Sequence, residues 1–129
     1  MANILIIDDN VDTVELSAEL LESAGHRVRT GYDGADGLKA LAAGPLPDCV
    51  LLDVDMPVLS GDEMVRCIRL ARPDLRVLYV TGHIDRWMDA RPLWEGEAFL
   101  EKPFSGAGLR EAVSLLLHGT IGRRGVGVN

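Results

Sequence analysis

Aromatic side chains are scarce, 5% of the 129 residues, and cysteine is scarcer still, present only as Cys49 and Cys67. That pair makes neither a zinc ligand set nor a disulfide framework, and both read as reduced core thiols. Basic residues are also in short supply, 13 Lys and Arg against 20 Asp and Glu, for a formal charge of −7. A domain with no basic excess lacks the face that phosphate contacts require, which excludes nucleic acid as its ligand. No apolar run approaches the roughly 20 residues of a membrane span. The first residues run into a strand that ends in acids, which is not a signal peptide, and the expected setting is the cytoplasm. Internal repeats and low-complexity segments are missing as well. What is present is a hydrophobic fraction of 47%, enough for the core of one domain.

The apolar residues gather in short runs that stop abruptly at a polar side chain. Asn3–Ile7 stops at Asp8-Asp9, Val50-Leu51-Leu52 at Asp53, Val77–Val80 at Thr81-Gly82, and Ala98-Phe99-Leu100 at Glu101-Lys102-Pro103. Consecutive apolar positions of this length predict strands covered on both faces. Arg27–Thr30 alternates with polar residues and predicts an edge strand. Between the strands lie helical stretches. Asp12 with Glu15 has capping-box spacing, Val14, Ala18 and Leu21 share a face, and Gly25 ends that helix. Asp36–Ala43 predicts a short helix closed by Gly44-Pro45. Ser60 with Glu63 opens another, with Met64, Cys67, Ile68 and Ala71 on its inner face and Pro73 beyond. Ile84, Trp87 and Met88 suggest a helix that Pro92 cuts short before a turn at Gly96. Ser105 caps the last helix, whose inner face is Leu109, Ala112, Val113 and Leu116 and whose end is Gly119. The domain is expected over 1–119, with 120–129 a tail or linker.

Strand and helix alternate five times, which predicts an α/β fold: a doubly wound, five-stranded parallel sheet with helices on both faces. Ligands of such sheets sit outside the carboxyl ends of the strands, where Asp9, Asp53, Thr81 and Lys102 all fall. With strand order 2-1-3-4-5 and neighbours about 4.8 Å apart, these residues can surround one small ligand. Converging carboxylates repel, and one lysine does not balance them. A hard divalent cation with oxygen ligands, Mg²⁺ above all, completes the balance. Asp53 is then placed to act as a nucleophile toward a phosphoryl group, with Thr81 and Lys102 holding the phosphoryl oxygens.

At these residues the chain resembles the receiver domains of two-component response regulators. The matching pieces are Asp8-Asp9, Asp53, Met56-Pro57 with Gly61, Thr81-Gly82, and Lys102-Pro103-Phe104, in order from about Asn3 to about Gly119. The resemblance implies a flavodoxin-like fold with the 2-1-3-4-5 order. It implies phosphorylation of Asp53 by a histidine kinase or histidine phosphotransfer protein. Mg²⁺ would be bound by Asp9, Asp53 and the main-chain carbonyl of Asp55, with Asp8 assisting through water. A cis bond is implied before Pro103. Thr81 and Phe99 take the switch positions: after phosphorylation Thr81 moves toward the phosphoryl group and Phe99 moves inward. The surface of residues 83–105 and the last helix then changes partners, a phosphorylation-dependent dimer being one outcome. Asp55 and His83, two residues beyond acceptor and threonine, take the positions that tune phosphoryl lifetime, with the sign at Asp55 left open. One departure is Arg91-Pro92, which interrupts a stretch where receivers carry a regular helix.

Three rivals remain. A haloacid-dehalogenase-like phosphatase also uses Asp-x-Asp, as in Asp53-Val54-Asp55, but carries it on the first strand, with an acidic pair after the lysine. A flavin or nucleotide domain needs a Gly- or Ser/Thr-rich loop after its first strand, where this chain has Asp8-Asp9-Asn10. A receiver-like module that is never phosphorylated would not need the full set of site residues.

Overall fold

The structure, a computed structural model, describes residues 2–55, 61–86 and 96–118. Five parallel strands form one sheet: β1 (Asn3–Ile7), β2 (Arg27–Gly31), β3 (Cys49–Asp53), β4 (Arg76–Thr81) and β5 (Glu97–Glu101), in the order β2-β1-β3-β4-β5. The helices described are α1 (Val11–Ser23), α2 (Gly34–Ala43), α3 (Gly61–Ala71) and α4 (Gly106–Leu117). The expected doubly wound sheet and its order are therefore observed, with the polar-alternating β2 at one edge.

Consecutive apolar residues in the inner strands serve two cores, one on each face of the sheet. Ile4, Ile6 and Leu51 join Val14 and Leu21 of α1 and Leu109, Ala112, Val113 and Leu116 of α4. Leu5, Ile7, Val50 and Leu52 join Leu41 of α2 and Met64 and Ile68 of α3. Asp53 continues the parity of Leu51, so its side chain leaves the sheet on the α1/α4 side.

Local signals were mostly well placed, with three corrections. The first helix is capped by Asn10, whose side chain accepts from the Thr13 N–H. The Asp12/Glu15 pair lies two residues too late for that role, with Asp12 already in the first turn. The second helix begins at Gly34 and is capped by Asp33, which accepts from Asp36 N–H. On α3, Cys67 is exposed, while Arg69 turns inward and is 9% exposed. The expected apolar face therefore holds at Met64 and Ile68 and fails at Cys67, so only Cys49 is a core thiol. Ser105 caps α4 as expected, accepting from Gly108 N–H, and the helix closes at His118. Met56-Pro57, Ser60, Trp87, Met88, Arg91-Pro92, Gly119 and the tail fall outside the described residues.

The edge strand meets α2 through a close backbone approach. A Cβ on Gly31 would lie 2.8 Å from the Gly37 Cα and N, and one on Gly37 would lie 2.6 Å from Ile7. Backbone cannot step aside as a flexible side chain can. Gly31→Ala is therefore expected to cost about 1–3 kcal/mol of unfolding free energy by forcing β2 and α2 apart. Urea titration of the two proteins measures it; an unchanged midpoint would show that the contact gives way freely.

Candidate functional site

The strand ends carry the polar residues because the ladder outlasts the apolar runs. Asp8 N–H donates to Gly31, Val54 N–H to Val80 and Lys102 N–H to Thr81, at 3.1, 3.1 and 2.8 Å. Each bond fixes the backbone one step past a strand end. In register, Ile7 faces Leu52 and Asp53 faces Val80, so Asp8 follows beside Asp53. The Lys102–Pro103 peptide is cis.

Asp8 and Asp53 are each only 4% exposed. The Lys102 ammonium reaches between them, 3.0 Å from Asp8 Oδ2 and 3.3 Å from Asp53 Oδ2. The other oxygens are also occupied: Asn10 N–H donates to Asp8 Oδ1 and Asp55 N–H donates to Asp53 Oδ1, both at 2.9 Å. Asp9 is exposed at the mouth. One carboxylate oxygen each from Asp8, Asp9 and Asp53 lie within 4.8 Å of one another. A small, partly open cleft is lined by Asp8, Asp53, Thr13, Ser17 and Phe104.

Electrostatics follow from this crowding. Burial pushes the Asp53 carboxyl up to about 6, and the neighbouring Asp8 charge adds to it, against the opposing Asp55 N–H and Lys102. Burial works against the Lys102 charge, but the bond to Asp8 and the charges of Asp53 and Asp8 outweigh it and raise its pKa. Three carboxylates against one ammonium leave the crevice negative. Oxygen donors at this spacing, with excess negative charge, fit a hard cation such as Mg²⁺.

On the other side of Asp53, Thr81 is fully buried and its hydroxyl donates to the Asp55 carboxylate, 3.0 and 2.9 Å from its two oxygens. Gly82 N–H donates to Asp55 Oδ2 at 2.9 Å, and His83 N–H donates to Thr81 Oγ1 at 2.9 Å. The His83 side chain is exposed at the rim. Phe99 is fully buried, its ring centroid 5.3 Å from that of Tyr79.

Two features were missed from sequence. Asp8 pairs directly with Lys102, a contact that the expected role of Asp8 toward Mg²⁺ did not include. The Asp55 carboxylate accepts from Thr81 and Gly82, contacts that the expected tuning role did not include. The Asp53-x-Asp55 spacing was visible, but the direction of the second side chain depends on a turn that spacing does not encode.

The chain is similar to known proteins. Residues 4–114 match the family described as the response regulator receiver domain, and the chain belongs to that family. It is 37% identical over 118 residues to the tetrathionate response regulatory protein TtrR of Salmonella typhimurium, covering 91% of this chain and 57% of the relative. This chain therefore spans little more than half the length of that relative. A response regulator receiver domain protein from Clostridium thermocellum superposes with a TM-score of 0.78 at 31% identity, covering 92% of this chain and 95% of that one. Response regulator TrrA from Thermotoga maritima, solved in complex with Mg²⁺ and beryllofluoride, superposes with a TM-score of 0.74 at 31% identity, covering 90% and 99%. These likenesses are to receivers and give no support to the phosphatase, flavin or nucleotide readings. Among the described residues, no helix is long and apolar enough to cross a membrane.

Proposed function

We propose that this receiver, over residues 1–119, takes a phosphoryl group on Asp53 from a histidine kinase or histidine phosphotransfer protein in the cytoplasm. The observation that carries the reading is the position of Lys102 Nζ, 3.0 and 3.3 Å from two buried aspartates at the edge of a three-carboxylate cluster. A cluster so charged suits a bound cation and, through it, an incoming anion.

Asp9, Asp53 and the Asp55 carbonyl would hold Mg²⁺, with Asp8 assisting; when bound, the ion supplies positive charge that offsets the transferring oxygens. An Asp53 carboxylate oxygen attacks phosphorus and a new P–O bond forms. The bond from phosphorus to the donor nitrogen or oxygen breaks, and the leaving group keeps the electron pair and takes a proton from solvent. Lys102 and Thr81 hold the phosphoryl oxygens. Thr81 then biases the surface of residues 83–105 and α4 toward a new partner, with Phe99 held inward beneath it.

Incubation with acetyl phosphate and Mg²⁺, followed by intact mass, tests this. One added phosphoryl group is expected, absent from Asp53→Asn and absent when Mg²⁺ is chelated. Addition to the Asp53→Asn protein at the same level would place the acceptor elsewhere. Asp55→Asn is expected to change the lifetime of phospho-Asp53, followed by loss of that mass with time.

A further inference from the structure

We propose that the Asp55 carboxylate is an internal occupant of the phosphoryl-oxygen seat, holding the donors of Thr81 and Gly82 until a phosphoryl group displaces it. The inference rests on Asp53 being the acceptor, and it concerns how that same site is regulated.

The argument is a count of protons. A threonine hydroxyl has one proton to donate, and a backbone amide has one. Thr81 spends its proton on Asp55, within 3.0 Å of both oxygens, and Gly82 spends its own on Asp55 Oδ2 at 2.9 Å. The Thr81 oxygen also accepts from His83 N–H at 2.9 Å, which fixes the hydroxyl from the other side. Neither donor can serve a phosphoryl oxygen on Asp53 while Asp55 keeps its place. Asp55 itself is joined to the acceptor, since its N–H donates to Asp53 Oδ1 at 2.9 Å. A carboxylate is a two-oxygen anion and resembles part of a phosphoryl group in charge and acceptor geometry.

Release of the two donors is therefore part of the equilibrium cost of phosphorylation. The displaced carboxylate is exposed enough to turn into solvent, where it regains its hydration. Asp55 acts here as a positioning residue on Thr81, and its main-chain carbonyl is a separate matter that side-chain substitution leaves intact.

Beryllofluoride with Mg²⁺ probes the seat without a covalent step. Its affinity is measured for the full chain, for Asp55→Ala, for Thr81→Ala and for the double variant. Asp55→Ala is expected to bind roughly tenfold more tightly, because both donors become available to a charged acceptor. In the Thr81→Ala background the gain is expected to fall to roughly threefold or less, since half of the held pair is gone. The Gly82 amide resonance is expected to move in unliganded Asp55→Ala, as a general loss of packing would not require. Equal gains in both backgrounds would mean that Asp55 acts only as a nearby charge, and the proposal falls. No gain at all in Asp55→Ala also overturns it. Failure of all four proteins to bind beryllofluoride overturns the acceptor reading itself and this inference with it.

Discussion

Asp53→Asn is expected to abolish phosphoryl acceptance and, without Mg²⁺ at pH 7, to raise the unfolding free energy by about 1–2 kcal/mol. Few substitutions at a functional centre stabilise, and the reason here is charge. Burial and Asp8 push the Asp53 carboxyl from 3.8 up to about 6, so the folded protein holds an ionised group that it would prefer neutral. The whole difference corresponds to about 3 kcal/mol, but the crevice is partly open at its mouth and relaxation and screening there remove much of it. Asparagine keeps an oxygen for the Asp55 N–H, and Lys102 keeps Asp8 at 3.0 Å; the cost is that the amide nitrogen replaces the oxygen that faced Lys102 at 3.3 Å, which is why the net gain stays small.

The gain depends on pH in a definite direction. Well below 3.8 both folded and unfolded chains carry a protonated Asp53, and the variant has no advantage. As pH rises, the unfolded chain ionises first, and the folded wild type loses relative stability until its own carboxyl ionises near 6. The advantage of Asp53→Asn therefore grows between about pH 4 and 6 and is flat above. Saturating Mg²⁺ reverses the order, because only the wild type keeps all three carboxylates and gains from binding. Thermal unfolding in chelator and in Mg²⁺ reads both effects. A variant no more stable than wild type at pH 7 in chelator would mean that the crevice is not strained by its charge.

Much of this centre could be read from the chain because parallel sheets announce their ligand edge. Apolar runs that stop at Asp8, Asp53, Thr81 and Lys102 carry both the fold and the location of the site, since strand ends and crevice are one place. What pattern could not carry was direction. Asn10 and Asp12 are both good caps, and only the exit angle of β1 decides between them. The inner face of α3 was read from 3.6-residue periodicity, which ranks Cys67 inside and Arg69 outside. Arg69 is inside because a partner 28 residues away draws it in, and helical periodicity has no term for a charge pair between a helix and a distant strand. Likewise Glu97, a charged residue at the start of β5, is fully buried.

That buried pair leads to the largest loss expected of a single substitution outside the crevice. Arg69→Met is expected to lower the unfolding free energy by about 3–5 kcal/mol. Arg69 Nη2 lies 2.7 Å from Glu97 Oε2, with side-chain exposures of 7% and 0%. The same Glu97 oxygen accepts from the Tyr79 hydroxyl, and Arg69 Nη1 donates to the carbonyls of Pro73 and Leu75. One guanidinium thus neutralises a buried carboxylate and ties the α3–β4 connection to β5. Methionine fills most of the volume but supplies neither charge nor donors, so Glu97 loses its ion pair with Arg69. The cost is expected to come mainly from that lost pairing. Arg69→Met with Glu97→Gln should therefore recover a large part of it, a non-additivity that a double-mutant cycle in urea reads directly. Additive losses would mean that packing and the carbonyl bonds dominate. The cycle also bears on signalling, because Tyr79 stands in register with Phe99 two residues before Thr81. A less firmly held Glu97 lets its partner, the Tyr79 hydroxyl, shift at one end of that aromatic pair, so a variant that folds is expected to hold Phe99 less firmly beneath the switch threonine.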